Sequence, residues 1–417
     1  MKILHINKSD ISGGAARSTY RMHTGLRKIG LDSKILVDNK ISDNRDVYGP
    51  SGKINKLWSQ VRPFIDRIPL KFYDWQKTPF HLAWVGKNIR KDELVKQADI
   101  INLHWITGGF FSIKGISKLA KLDKPIVWTL HDTWAFTGGC HYTKDCKKYI
   151  FSCGSCPQLN STKDNDITRK IWERKKKAYK DLNLTIVTPS KWLAECAKQS
   201  SLLSGLKIEV IPNGLDTNIF KPINKLIARD ILNLPKNKKI VLFGAMEGTA
   251  NKIKGFKYLK EALNKLGKTK DIKNELLLVI FGASHSEDIE EFSFEVKFLG
   301  RLYDDFSLAL SYSAADLFVG PSLQEAFGQT YIESMSCETP CAAFDYSGPK
   351  DMIKHKINGY LAEYKSSQSL ADGIKWILED EPRAIKLGEA ARKKAVKNYS
   401  LEIQAKRYLE LYKKLLH

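Results

Sequence analysis

The chain has no apolar run approaching the ~20 residues that cross a bilayer as a helix. Its start, Met1-Lys2-Ile3-Leu4-His5-Ile6, turns polar too soon for a secretory signal and reads as a first strand. The expectation is a cytoplasmic protein. A full dinucleotide fingerprint is lacking, because the first strand-to-helix turn offers only Gly13-Gly14. No D-x-D metal motif follows a strand. Asp164-Asn165-Asp166 has that form, but it lies in a polar run of Ser, Thr, Lys and Asp. Negative charge is scarce: 46 Asp+Glu stand against 68 Lys+Arg, a formal net charge of +22. Such a surplus fits an anionic partner, whether nucleic acid, an anionic membrane face or a phosphorylated substrate. The bland alternative is a chain that simply uses lysine everywhere. At 417 residues the chain can bury two separate cores.

What is present is an alternation of short apolar runs and amphipathic stretches. Residues 2–7 read as a strand, 8–16 as a glycine-containing loop, 17–28 as a helix stopped by Gly30, and 34–37 as a second strand. Further strands are expected at 99–105, 125–132 and 185–190, with helices at 167–180 and 191–198. The Pro/Gly/Asn stretch 210–216 suits a linker. A second α/β unit then begins with a strand at 239–245 and continues with strands at 276–282, 296–299, 316–319 and 340–344. Surface helices follow at 371–378 and 382–398, and an amphipathic helix at 399–417.

The most informative stretch runs from Pro321 to Glu333. A buried strand leads into it and Pro321-Ser322 break that strand. Glu325 sits in the following loop, and Glu333 lies on a helix expected over 327–336, roughly two turns after its start. Carboxyl ends of strands in an open parallel sheet are where ligands bind. Backbone N–H groups at the helix start favour an anion. Two acceptor-only side chains beside them suit a ligand that is phosphate plus polyol.

Glu325 and Glu333, with seven residues between them, resemble the E-x7-E signature of retaining GT-B glycosyltransferases of the family 4 type. The resemblance covers nearly the whole chain. Ile211-Pro212-Asn213-Gly214-Leu215-Asp216 is similar to the family's hinge segment, Lys254-Gly255 to its K-G pair, and Asn358-Gly359-Tyr360-Leu361 to its N-G-[YFL]-L turn. It implies two Rossmann-like domains facing across a cleft. An acceptor-binding domain is expected at 1–212, a donor-binding domain at 213–395, and at 396–417 a helix returning to the first domain. It also implies a UDP- or GDP-sugar donor, retention of configuration, and no cofactor or catalytic metal. By the same resemblance Glu333 holds the ribose, Glu325 the donor sugar and Lys254 the pyrophosphate. Ala326, Phe327 and Gly328 belong to the donor site, and His131 with the Gly13-Gly14 loop completes it. The chain departs from the family in one place. Where many relatives carry an arginine after the strand's glycine, it has Ala245 and Met246, so either Lys252 substitutes or the pyrophosphate is held by fewer charges.

Two segments keep several readings. Residues 54–90 interleave Trp58, Phe64, Phe72, Tyr73, Trp75, Phe80 and Trp84 with Lys56, Arg62, Arg67, Lys71, Lys77, Lys87 and Arg90. That mixture suits an anionic membrane interface, helices packed on the first domain, or, least of the three, single-stranded nucleic acid. Cys140, Cys146, Cys153 and Cys156 crowd four of the seven cysteines into one loop. They fit a structural zinc, packed reduced thiols or a redox role. A cysteine loop after His131-Asp132 resembles the exopolysaccharide, colanic-acid-type subgroup. That subgroup implies a growing, lipid-linked surface polysaccharide as acceptor and a peripheral place on the inner face of the cytoplasmic membrane, in exopolysaccharide or lipopolysaccharide synthesis. The alternative to an enzyme is a non-catalytic basic protein binding an anionic membrane or nucleic acid.

Overall fold

The computed structural model describes all residues except 77, 246–248, 268–273, 284–291 and 293. Lys77 and Met246 therefore lie outside the described residues. Two compact units are present: 1–213 with 404–417, and 214–403.

The first unit is built on a seven-stranded parallel sheet. Its strands are β1 (Lys2–Ser9), β2 (Asp32–Asn39), β3 (Val47–Tyr48), β4 (Ile100–Leu103), β5 (Ile126–Thr129), β6 (Leu184–Thr188) and β7 (Lys207–Val210), in the order β3-β2-β1-β4-β5-β6-β7. β1 lies centrally, pairing Ile3 with Ser33 on one side and with Ile100 on the other. A buried core joins Ile3, Ile100 and Val127 of the sheet to Met22 and Leu26 of the helix Gly14–Lys28. Tyr408, Leu411 and Tyr412 of the helix Leu401–Leu416 complete it. Two hydroxyls of that helix reach the sheet's polar atoms. Asn102 Nδ2 donates to Tyr412 Oη at 2.8 Å, and Thr129 Oγ1 and Tyr408 Oη lie 3.0 Å apart.

The second unit holds a six-stranded parallel sheet of β8 (Lys239–Gly244), β9 (Leu276–Phe281), β10 (Glu295–Gly300), β11 (Leu317–Gly320), β12 (Cys341–Phe344) and β13 (Gly359–Ala362), ordered β10-β9-β8-β11-β12-β13. Its central strands are apolar throughout because both faces are covered. Alternate residues feed two cores: Val241, Leu278 and Val319 point into one, Ile240, Leu277 and Phe318 into the other. Each such side chain contributes about 1.5–3 kcal/mol by leaving water.

Three differences from the sequence reading have physical causes. The first helix starts at Gly14, three residues earlier than expected, because no side chain is needed to cap it. β3 and β7 are short and have exposed or half-buried positions, so they show no apolar run. The stretch 358–361, read as a turn, continues into the strand β13, paired with β12 from Cys341↔Gly359 to Phe344↔Ala362.

Candidate functional site

In the second unit, β11 ends at Gly320 and the helix Gln329–Ser336 begins nine residues later. Glu333 thus stands just over one turn into that helix, nearer its start than the sequence suggested. It is buried, and Tyr312 Oη donates to its Oε2 at 3.0 Å. Burial first, then the Glu333 charge, holds the Tyr312 phenol well above its ordinary value, so the hydroxyl remains a donor.

Glu325 lies in the loop between. Its backbone is clamped on both sides: Glu325 N–H donates to Ser347 Oγ at 3.0 Å, and Gly348 N–H donates to Glu325 O at 2.9 Å. The side chain accepts through Oε1 from Lys254 Nζ and, at 3.2 Å, from Ser322 Oγ. Among the described residues nothing takes Oε2. Phe327 and Gly328 are buried, whereas Ala326 and Glu325 are half-buried. The Phe327 ring lies 5.8 Å from that of Tyr399 and forms the floor beneath the loop.

Lys254 is positioned by backbone chemistry. It closes a 3-10 turn, Lys252–Lys254, and Gly255 follows with φ of +71°. A Cβ on Gly255 would stand 1.9 Å from Pro321 O. Leu323 N–H donates to Ile253 O at 2.7 Å, so the two loops are stitched together. The result brings a cation and a carboxylate 71 residues apart into one ion pair. Lys252 is exposed.

In the first unit Gly13 caps the helix Gly14–Lys28 with φ of +93°, and a Cβ on Gly14 would meet nothing within 4 Å. Open space beside the first N–H groups of a 15-residue helix with no acidic residue in its first turn suits an anion. Asp10, fully buried, holds this loop by accepting from the N–H groups of Ile11, Ile41 and Ser42 at 2.8–3.2 Å.

His131 and Asp132 lie just past β5. Asp132 accepts from Trp105 Nε1 at 2.8 Å, His141 Nδ1 at 2.6 Å and Trp134 N–H at 2.8 Å. His141 Nε2 is in turn 2.7 Å from His81 Nδ1. His104, just past β4, touches His131 directly at 3.0 Å. His5, His81 and His141 were not singled out in the sequence. The signal was there in part, since His104 directly follows β4 and His5 lies within the neighbouring β1.

The remaining sequence candidates resolve structurally. Asp166 caps the helix Ile167–Tyr179 and Asp164 pairs with Arg169 at 2.8 Å, which accounts for the D-x-D form without a metal. Lys170 is exposed. The four loop cysteines line one cavity of about 20 Å³. Gly138 N–H donates to Cys153 Sγ at 3.0 Å. Burial raises the Cys153 and Cys156 thiols to about 11 and pushes Cys140 up further. Among the described residues no three His, Cys, Asp or Glu side chains stand in a metal-holding group. The four thiols supply the donor set of a structural zinc or, left protonated, the packing of this cavity.

The segment 54–90 holds the largest surprise. The helix Lys53–Arg67 is turned inside out: Arg62 and Asp66 are its buried residues, while Ile54, Phe64 and, just beyond it, Phe72 are 84%, 74% and 85% exposed. An open groove of about 780 Å³ runs between Phe64, Ile68, Leu70 and Trp75, with Arg67 and Lys71 on its edges. No helix among the described residues is long and apolar enough to cross a membrane.

Residues 12–219 match the model of Glycosyltransferase Family 4, and residues 224–394 match that of Glycosyl transferases group 1. The chain belongs to the glycosyltransferases. An uncharacterized glycosyltransferase of Methanocaldococcus jannaschii is 27% identical over 78% of this chain and 86% of its own length. A D-inositol 3-phosphate glycosyltransferase of Thermobispora bispora is 26% identical over 50% of this chain and 51% of its own. The chain thus spans about half of that second relative. Among solved structures, sucrose-phosphate synthase of Thermosynechococcus elongatus superposes with a TM-score of 0.69 at 19% identity, covering 100% of this chain and 99% of the other. Anabaena HepE in complex with UDP and glucose gives 0.67 at 17% identity, with both chains fully covered. The fold of this glycosyltransferase is therefore GT-B: two parallel-sheet α/β domains.

Proposed function

We propose that this glycosyltransferase moves a sugar, with retention and without a metal, from a nucleotide-diphosphate sugar to a lipid-linked surface glycan at an anionic membrane face. The observation that carries the donor half is the Lys254–Glu325 pair with Glu333 buried behind it. A diphosphate brings two charges and competes with Glu325 for Lys254. The carboxylate so released, with Oε2 already unengaged among the described residues, accepts from sugar hydroxyls. Glu333 accepts from the ribose. Charge developing on the leaving diphosphate meets Lys254 and helix N-termini. HepE was crystallised with UDP, which supports a uridine donor as the first to try.

The inverted helix 53–67 supports the membrane half, since exposed Ile54, Phe64 and Phe72 lie among Lys53, Lys56, Arg67 and Lys71. The test is nucleoside diphosphate release from UDP-, GDP- and ADP-sugars, with lipid-linked oligosaccharide or inositol phosphate as acceptor. Release from one donor that vanishes in Glu325→Gln, and that the lipid-linked acceptor stimulates, is expected. Release stimulated only by inositol phosphate would overturn the acceptor assignment. No release from any donor would leave a basic membrane-binding protein.

A further inference from the structure

Three histidines stand in a row: His5 within β1, His104 just past β4 and His131 just past β5. His5 Nδ1 lies 3.1 Å from His104 Nε2, and His104 Nδ1 lies 3.0 Å from His131 Nε2. The rings of His104 and His131 stack at 5.2 Å. His5 and His104 are buried and His131 is half-buried. The row ends blindly, for His5 Nε2 is buried and has no hydrogen-bond partner among the described residues. A proton entering at His131 would have nowhere to go, so the row is not a relay to solvent.

Its use follows from counting protons. Burial lowers His5 to about 3 and His131 to about 4, and holds His104 well below the ordinary imidazole value. Each ring is then neutral and carries a single N–H. Two N–H···N contacts in series require all three protons to point the same way along the row. If they point inward, His5 carries its proton on Nε2, where it is a buried donor with no acceptor. If they point outward, His5 Nε2 keeps only a lone pair, and the donor left over is His131 Nδ1–H at the accessible end. Orphaned buried N–H groups are rarer than under-satisfied acceptors. Asp132 accepts from Trp105, His141 and Trp134, and among the described residues it forms no hydrogen bond with His131.

We propose that His104 and His5 are positioning residues that fix His131 as its Nδ1–H tautomer, so that it offers the bound ligand a hydrogen-bond donor rather than a lone pair. The nitrogen that carries the proton is set by the bond that the other nitrogen makes. The ligand chemistry is an oxygen acceptor, a hydroxyl or phosphate oxygen of the sugar nucleotide. That last step alone rests on the glycosyl-transfer reading.

The test is a long-range proton–nitrogen spectrum of the full chain labelled with ¹⁵N-histidine, with His131 assigned from the His131→Asn spectrum. The expected result is a ring proton on Nδ1 of His131, against the Nε2–H form that free histidine prefers. In His104→Phe, which keeps an aromatic ring in the row, His131 reverts to the Nε2–H form, and donor turnover falls on the order of tenfold, as when a partner orienting a functional histidine is lost. An Nε2–H form in the unaltered protein would overturn the proposal, as would an unchanged His131 in a folded His104→Phe. Should His104→Phe fail to fold, the unaltered protein's spectrum decides, with His5→Phe as the second variant. The spectrum needs no turnover. A protein that releases no nucleotide yet shows Nδ1–H would sink the transfer reading and leave this one standing.

Discussion

Arg62 donates through Nη2 to Asp38 Oδ1, and both side chains are buried beneath a helix whose apolar residues face outward. Lys8 adds a second cation, 2.7 Å from Asp38 Oδ2. The helix is thus fastened by its charges, which frees its apolar side for another partner.

Removing the fastening and removing the apolar side should have opposite consequences. Arg62→Ala leaves Asp38 with the Lys8 cation still beside it and should cost about 1–3 kcal/mol, read from denaturant midpoints. Phe72→Ser should stay within about 0.5 kcal/mol of the parent, since the ring packs on nothing that folding requires. The same variant should lose co-sedimentation with anionic phospholipid vesicles. Undiminished vesicle binding by an Ile54→Ser, Phe72→Ser double variant would remove this surface from the membrane reading.

Glu325→Gln keeps the shape of the loop and gives up the charge opposite Lys254. Nucleoside diphosphate release should fall by about 10²-fold or more, the size lost when one electrostatic contact to a developing charge is removed. The melting temperature should hardly move. Lys254→Ala should lower release similarly and weaken nucleotide binding, measured by calorimetry with UDP. Full activity in either variant would move the chemistry elsewhere.

Gly255→Ala tests whether Lys254 is placed by its neighbour. The new methyl meets Pro321 O and the residue keeps a left-handed φ, so about 1–3 kcal/mol of strain or a shift of both loops must follow. Donor KM should rise more than kcat falls. An unchanged KM would show that the stitch between residues 253 and 323 is not what aims Lys254.

Acid should weaken the fold sooner than carboxylates alone would. Burial lowers His5 to about 3 and His23 to about 4, and also lowers His81 and His104. These rings stay neutral when folded, whereas the unfolded chain takes up protons below its ordinary value of 6.5. Stability is therefore fully present above that value and is lost as pH falls toward 4. The slope is about 1.4 kcal/mol per pH unit for each such ring. Urea midpoints at pH 7.5, 6.5 and 5.5 measure this before most carboxylates titrate, and a flat series would contradict it.

The fold was legible because several buried strands are apolar runs of four to six residues in a chain that alternates with helices, as in Leu276–Phe281. Where a strand lies at a sheet edge with exposed positions, as Lys207–Val210 does, that signal disappears. The candidate site was legible only piecewise. Local pattern put Glu325 after a strand and Lys254 in a loop, but their pairing depends on Gly255 lying against Pro321, which only the tertiary structure shows. The inverted helix was readable as a mixture of aromatic and basic residues, not as a direction. Which side Arg62 faces depends on Asp38, a partner 24 residues away on β2. The histidine row escaped because its members come from three separate segments, one from within β1 and two from just past β4 and β5, each ordinary by itself.

Tyr408 and Tyr412 reach Thr129 and Asn102 from a helix made more than 270 residues later. On a ribosome, the first sheet to be synthesised must wait for residues 404–417 before its core closes, while the intervening unit can already have folded. The half of the protein that emerges earliest is then the last to be finished. A nick or truncation within those closing residues would expose the oldest part of the chain to proteases and chaperones, not the part beside the cut.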